Sequence, residues 1–136
     1  MPYADFHHGY KKMDLAPGEL IARVHLPARD GSWTDDYRKV GTRRAQAISK
    51  VCFAGAILKD GDRVVDVRIA LGSVAPTVVR ARRAEDGLRG RTLDQGAIAA
   101  AAETLASEIA PIDDIRSTAR YRARVAANLL RAFLQG

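Results

Sequence analysis

Val51 to Gly72 reads VCFAGAILKDGDRVVDVRIALG. Two apolar runs flank Lys59-Asp60-Gly61-Asp62, a strong turn signal, so the stretch predicts an antiparallel hairpin. In the second arm Val65, Val67 and Ile69 fall on one side and Asp66 and Arg68 on the other, the period of a half-buried strand. In the first arm the small residues Ala54, Gly55 and Ala56 imply that something packs closely on it. The arms are expected to run from Ser49 to Leu58 and from Arg63 to Ala75.

Upstream, Arg38 to Val51 (RKVGTRRAQAISKV) places Arg38, Lys39, Arg43, Arg44 and Lys50 around a Gly-Thr turn that feeds the first arm. TRRAQA reads as a single helical turn or tight loop, and DDYRKV before Gly41 as a short strand. The Asp30-Gly31 step in ARDGSW suits a hairpin turn. Before it, Glu19 to Pro27 (ELIARVHLP) alternates Leu20, Ala22, Val24 and Leu26 with more mixed residues, which predicts another strand ending at a proline. Residues 1–18 read as an irregular lead-in with turn signals at His8-Gly9 and Pro17-Gly18.

Downstream the period changes to helical. VRARRAEDGLRG predicts a short helix stopped by Gly90. Thr92 and Gln95 form a T-x-x-Q capping box ahead of an alanine-rich helix reaching about Ile109, with Ile98, Ala101 or Ala102, Leu105 and Ile109 inward. Pro111 ends it. A last helix from about Ser117 presents Tyr121, Val125, Leu129 and Phe133 at i, i+4, i+8 and i+12, flanked by Leu130 and Leu134. Strands first and helices afterwards predict an α+β domain. The expected architecture is an antiparallel sheet of three to four strands followed by about three helices packed on one face.

With 136 residues and 47% hydrophobic content the chain is expected to form one domain with a real core. A single cysteine, Cys52, cannot make an internal disulfide, and it reads as a small buried hydrophobe in a strand. His7, His8 and His25 lack metal-ligand spacing, so no metal site is expected. Asp113 and Asp114 precede the last helix and read as N-terminal charge interacting with Arg116. No nucleophile, base and oxyanion set assembles by motif, and no catalytic residue is assigned. The net charge of +6 raises nucleic acid as a partner, but the cations are dispersed and not interleaved with aromatics, which disfavours it. No apolar run is long enough to span a bilayer and no signal peptide is visible, so a cytoplasmic protein without membrane contact is expected.

Three segments together carry a family likeness: YRKVGTRRAQAISKV (Tyr37 to Val51), RIALGSVAPTVVRARRAE (Arg68 to Glu85) and PIDDIRSTARYR (Pro111 to Arg122). In this order they resemble the carboxy-terminal domain of the FAD-binding subunit of molybdenum hydroxylases, the xanthine dehydrogenase and carbon monoxide dehydrogenase flavoprotein family. The lead-in FHHGYKKMDLAPGELIARVHLP (Phe6 to Pro27) resembles the passage by which that family leaves its flavin-binding lobes. The resemblance implies residues 1–18 as a lead-in from those lobes and residues 19–136 as one α+β flavoprotein domain. It also implies a role in an oxidoreductase, where electrons pass from iron–sulfur clusters to FAD and on to NAD or oxygen, with the isolated chain inactive.

By the same resemblance the partners are the flavin-binding lobes, a molybdenum subunit carrying molybdopterin and an iron–sulfur subunit. The glycine-rich loops that hold the FAD phosphates are not in this sequence, which by the resemblance reads as a truncated or separately encoded half. Two residues are carried over as flavin contacts: Lys39, the lysine that approaches the ring, and Ile21, the aliphatic residue against it. The plain alternatives are a surface lysine paired with Asp35 or Asp36, and an isoleucine packed in the core. Competing readings for the whole chain are a free-standing interaction module without flavin and a basic nucleic-acid-binding domain.

Overall fold

A computed structural model describes all residues from Met1 to Gly136. A 3-10 turn at Tyr3–Asp5 leads into a two-stranded ribbon, β1 (His7–Gly9) with β2 (Lys12–Met13). The main sheet has four antiparallel strands in sequence order: β3 (Trp33–Val40), β4 (Val51–Asp60), β5 (Arg63–Gly72) and β6 (Val79–Arg80). Helices α1 (Arg82–Leu88), α2 (Gln95–Ala106) and α3 (Ala119–Leu134) follow. They cover one face of the sheet, α1 lying against β5 and α3 against β4, with α2 joining the two. This is the expected α+β architecture.

The β4–β5 hairpin forms where the sequence places it, with Gly61 at φ +55° in the turn. Its register contains a surprise. Leu58 pairs with Asp66 while Lys59 pairs with Val64, so Val65 is an extra residue, a β-bulge. The bulge flips the alternation: Val64, Val67, Ile69 and Leu71 are buried, and Val65 is 50% exposed rather than aligned with Val67.

The buried face of β4 is Val51, Phe53, Gly55 and Ile57. Gly55 explains the small-residue signal on that side, because a Cβ there would lie 2.7 Å from Cζ of Phe133. The Phe133 ring sits over the glycine and against Phe53, centroids 5.4 Å apart. The opposite face of the sheet carries no helix. Ala54, Ala56 and Ala70 floor a shallow trough there of about 530 Å³, with Tyr37, Arg68 and Arg80 on its rim. Near one end Trp33 lies between the guanidinium groups of Arg29 and Arg68, at 5.3 and 5.0 Å from its ring centre.

Several expectations are corrected. Glu19 to Pro27 is not a strand. Residues 19–32 have no regular structure, and Leu20, Val24 and Leu26 are exposed. Alternation alone does not make a strand: the segment joins no ladder, although the edge of β3 is free. Asp30-Gly31 is therefore no hairpin turn. The fourth place in the sheet goes to Val79–Arg80, whose Val79 pairs with Leu71.

The capping box is not formed. Thr92 bridges to Arg63, and Asp94 caps α2 by accepting from Ala97 N at 2.7 Å. The inward stripe of α3 keeps Phe133 and the flanking Leu130 and Leu134, but its first half lies one residue further along than expected. Arg122, Ala126, Leu130, Phe133 and Leu134 are buried, while Tyr121, Val125 and Leu129 are half-buried. Ala126 lets the helix approach β4 closely, and the polar partners of Arg122 draw that side chain inward. The inward stripe of α2 is as expected: Ile98, Ala101, Ala102, Leu105 and Ile109 are all buried.

Candidate functional site

The two edges of the main sheet are treated differently, and this fixes what is available for contact. Beyond the short β6, the edge of β5 is closed by side chains from α1. Glu85, almost fully buried, accepts from Ile69 N at 2.7 Å, while Ala81 N donates to Ile69 O. Arg80 and Arg89 both pair with the Glu85 carboxylate, and Arg89 also reaches Asp66 at 2.8 Å. Burial pushes the Asp66 carboxyl up, but hydrogen bonds from Arg89 and from Val67 N outweigh it, and the pKa ends below the ordinary range. The edge of β3 has no such cover.

Lys39 lies near the end of β3, exposed, opposite Cys52 on the helix-free face. The pairing with Asp35 or Asp36 is not made. Arg29 grips Asp35 through two nitrogens at 2.7 and 2.6 Å, and Arg38 holds Asp36 at 2.9 Å. Hydrogen bonds from Arg29 hold the Asp35 carboxyl below its ordinary pKa. Lys39 thus has no carboxylate within ion-pair distance. Cys52 is half-buried rather than a core residue. Its thiol donates to Ser49 Oγ at 2.9 Å and lies 3.7 Å from the Tyr37 hydroxyl.

Ile21 sits in the irregular segment and is 59% exposed, so it is neither in a strand nor in the core. Neither Lys39 nor Ile21 lines the trough on the uncovered sheet face or the cavity beside the amino-terminal ribbon.

The segments that carry the family likeness do converge, at a residue to which sequence reasoning gave no role. Arg122 is only 4% exposed. It donates to Lys50 O at 2.8 Å, to Ser73 O at 3.0 Å and to Asp114 Oδ1 at 2.7 Å. These acceptors come from the three separate stretches quoted above, so one guanidinium joins them. Its Nε alone has no partner.

Each stretch is preset for this. Lys50 N donates to Val40 O at 2.7 Å and closes the 41–49 loop, inside which Arg43 clamps Gln46 O at 2.8 Å. Ser73 adopts φ +64°, an uncommon conformation for a residue with a Cβ, and its carbonyl is one of the two to which Arg122 donates. Asp114 accepts from Arg116 N and Ser117 N, and these bonds, together with Arg122, hold its carboxyl below the ordinary range. The expected role of the acidic pair, charge ahead of α3 and interaction with Arg116, is present, with Arg116 3.6 Å from Asp114, and Arg122 was the partner missed. The only sequence signal for Arg122 was its place one residue off the predicted inward stripe.

Above this junction a cavity of about 600 Å³ opens between the loop ends and the amino-terminal ribbon, lined by Ser49, Ser73, Thr77, Asp114, Arg116 and His7 among others. The helix N-termini each carry a side-chain oxygen already. Asp94 and Thr118 cap α2 and α3, and the Glu108 carboxylate accepts from the N–H groups of Arg83 and Ala84 at the start of α1. No group of three His, Cys, Asp or Glu could hold a metal ion, and no helix is long and apolar enough to cross a membrane.

Comparison with known proteins agrees with this geometry. The family model described as the CO dehydrogenase flavoprotein C-terminal domain matches residues 36–136. The glyceraldehyde dehydrogenase medium chain of Sulfolobus acidocaldarius is 32% identical over 121 residues, 89% of this chain and 42% of that one. The xanthine dehydrogenase FAD-binding subunit of Escherichia coli O157:H7 is 26% identical over 90% of this chain and 42% of its own length. Among solved structures, carbon monoxide dehydrogenase from Hydrogenophaga pseudoflava superposes with a TM-score of 0.87 at 29% identity, covering 95% of this chain and 45% of that one. The chain spans less than half the length of these relatives. On the strength of the matched model and the shared fold, the chain belongs to the CO dehydrogenase flavoprotein C-terminal domain family.

Proposed function

We propose that this chain works as the carboxy-terminal domain of the FAD subunit of a cytoplasmic molybdenum hydroxylase, covering one side of the flavin. Residues 1–18 are the passage from the flavin-binding lobes and residues 19–136 the domain itself. Its partners are those lobes, a molybdenum subunit with molybdopterin and an iron–sulfur subunit. The flavin supplies the redox chemistry when bound, accepting electrons from the iron–sulfur clusters and passing them to NAD or oxygen. The chain's own residues bind, orient and bias.

The residues present fit one side of a flavin and not its phosphates. Each helix N-terminus already holds a side-chain oxygen of the same chain in the place a pyrophosphate oxygen would take: Glu108 at α1, Asp94 at α2 and Thr118 at α3. The ring side is different. The observation that carries the reading is Lys39, a cation without a counter-ion at the end of an uncovered strand. Ile21 contributes exposed apolar surface on a segment with no partner of its own. In the proposed arrangement Lys39 stabilises negative charge on the reduced ring, and Ile21 excludes water from one face.

The test is assembly and potential. Co-expressed with the flavin-binding lobes, the chain should yield a yellow complex absorbing near ~450 nm. Within that complex Lys39→Gln should lower the flavin midpoint potential by some tens of millivolts, since a cation a few ångströms away contributes on the order of a few kcal/mol. A complex that takes up flavin equally well without this chain, or an unchanged potential in the Lys39 variant, would remove the assignment.

A further inference from the structure

The open edge of the main sheet has an unusual charge order. The strand β3 reads Trp33-Thr34-Asp35-Asp36-Tyr37-Arg38-Lys39-Val40: two acids, a tyrosine, two bases. Edge strands are commonly charged to prevent pairing with other chains, and any order of charges serves that purpose. This order does something more: it is complementary to its own reverse.

The backbone is set for the same pairing. Ile69 uses its N–H and C=O outward, on Glu85 and Ala81. Its neighbour across the ladder, Gly55, therefore turns its own groups towards Asp36 of β3. By alternation Asp35, Tyr37 and Lys39 present N–H and C=O to the outside. Apart from the ladder to β4, the only backbone bond made by β3 is at its last residue, Val40, which accepts from Lys50. Tyr37 is 65% exposed at the centre of this edge.

We propose that β3 pairs antiparallel with β3 of a second copy of this chain, about a two-fold axis at Tyr37. In that register Asp36 lies opposite the partner's Arg38 and Asp35 opposite the partner's Lys39, with Tyr37 facing the partner's Tyr37. Each opposed pair shares a face. Asp36 and Arg38 lie on the helix side, and Asp35, Tyr37 and Lys39 on the uncovered side. The axis repeats each contact, giving four cross-strand charge pairs, in which the partner's Lys39 joins Arg29 on Asp35 and the partner's Arg38 joins Arg38 on Asp36, and two central hydrogen bonds between the tyrosine residues. The two sheets become one continuous sheet. The pairing engages Lys39, so a self-paired chain does not present that lysine to a flavin; the two uses are alternative states.

Asp36 and Arg38 take no part in the proposed flavin contact, and variants there separate the two readings. Sedimentation of the 136-residue chain over a wide concentration range should show a reversible dimer, weakened by salt. Asp36→Lys alone and Arg38→Glu alone each set like charges opposite one another, and each should raise the dimer dissociation constant about tenfold or more. Mixed together, the two variants should associate with each other, because the lysine introduced in one chain then faces the glutamate introduced in the other. Hydrogen exchange at the amides of Asp35, Tyr37 and Lys39 should slow as concentration rises. A chain that stays monomeric, a dimer indifferent to both variants, or edge amides protected at every concentration by the chain's own 14–32 segment would each overturn the proposal.

Discussion

Replacing Arg122 by Met tests whether the junction of the three loop ends holds the domain together. Met fills much of the same volume but leaves Lys50 O and Ser73 O without a donor and removes the cation from Asp114. Removing one partner of a buried ion pair costs about 3–5 kcal/mol. Two features favour the lower end. Asp114 is partly exposed and keeps its bonds from Arg116 N and Ser117 N, and the orphaned Nε disappears with the side chain. The expected loss is therefore about 3 kcal/mol, a large share of the roughly 5–15 kcal/mol that holds a domain folded. Urea unfolding followed by far-ultraviolet circular dichroism measures it through the midpoint at constant slope. Arg122→Lys keeps the charge but cannot reach three acceptors with one nitrogen, so it should fall between wild type and Met. A loss below about 1 kcal/mol for Met, or equal losses for Met and Lys, would show that the guanidinium is not the tie described here.

Two further outcomes follow from packing and charge. Gly55→Ala should cost about 1–3 kcal/mol because the new methyl meets the Phe133 ring, and much less in a Phe133→Leu background, as a thermal-unfolding double-mutant cycle would register. The folded-state pKa of Asp114 is lowered, so its contribution is present above the unfolded value of about 3.9 and is lost as pH falls through the folded one. Urea midpoints should drop in acid, and the drop should be smaller in Asp114→Asn; identical acid profiles would contradict the hydrogen bonds assigned to that carboxylate.

The central hairpin was legible because Asp60-Gly61 and the two apolar arms say the same thing locally. The inward stripe of α2 was legible because alanine and leucine spacing needs no knowledge of the partner surface. The bulge at Val65 was not, since a one-residue shift is decided by how β5 meets β4 and the Thr92 bridge, not by its own alternation. The Glu19–Pro27 strand failed for a related reason: alternation describes a willingness to pair, and whether the segment reaches a ladder is decided by the rest of the chain. Arg122 was hidden by a rule that is usually sound, that arginine on an amphipathic helix faces water. Its acceptors lie 8, 49 and 72 residues away, beyond any local pattern. Lys39 and Ile21 came from family likeness, and their setting, one unpaired and one uncovered, became visible only in three dimensions.

The seal that Glu85, Arg80 and Arg89 place along β5 also sets the valence of the molecule. A sheet with two adhesive edges is a bifunctional monomer and can add copies without end; a sheet with one is a chain terminator. Pairing through β3 uses up the single available edge in both copies, so growth stops at two and the symmetry closes. The buried glutamate thus limits stoichiometry at a distance, from the side of the sheet that takes no part in the contact. A lesion there would convert a finite assembly into one that propagates.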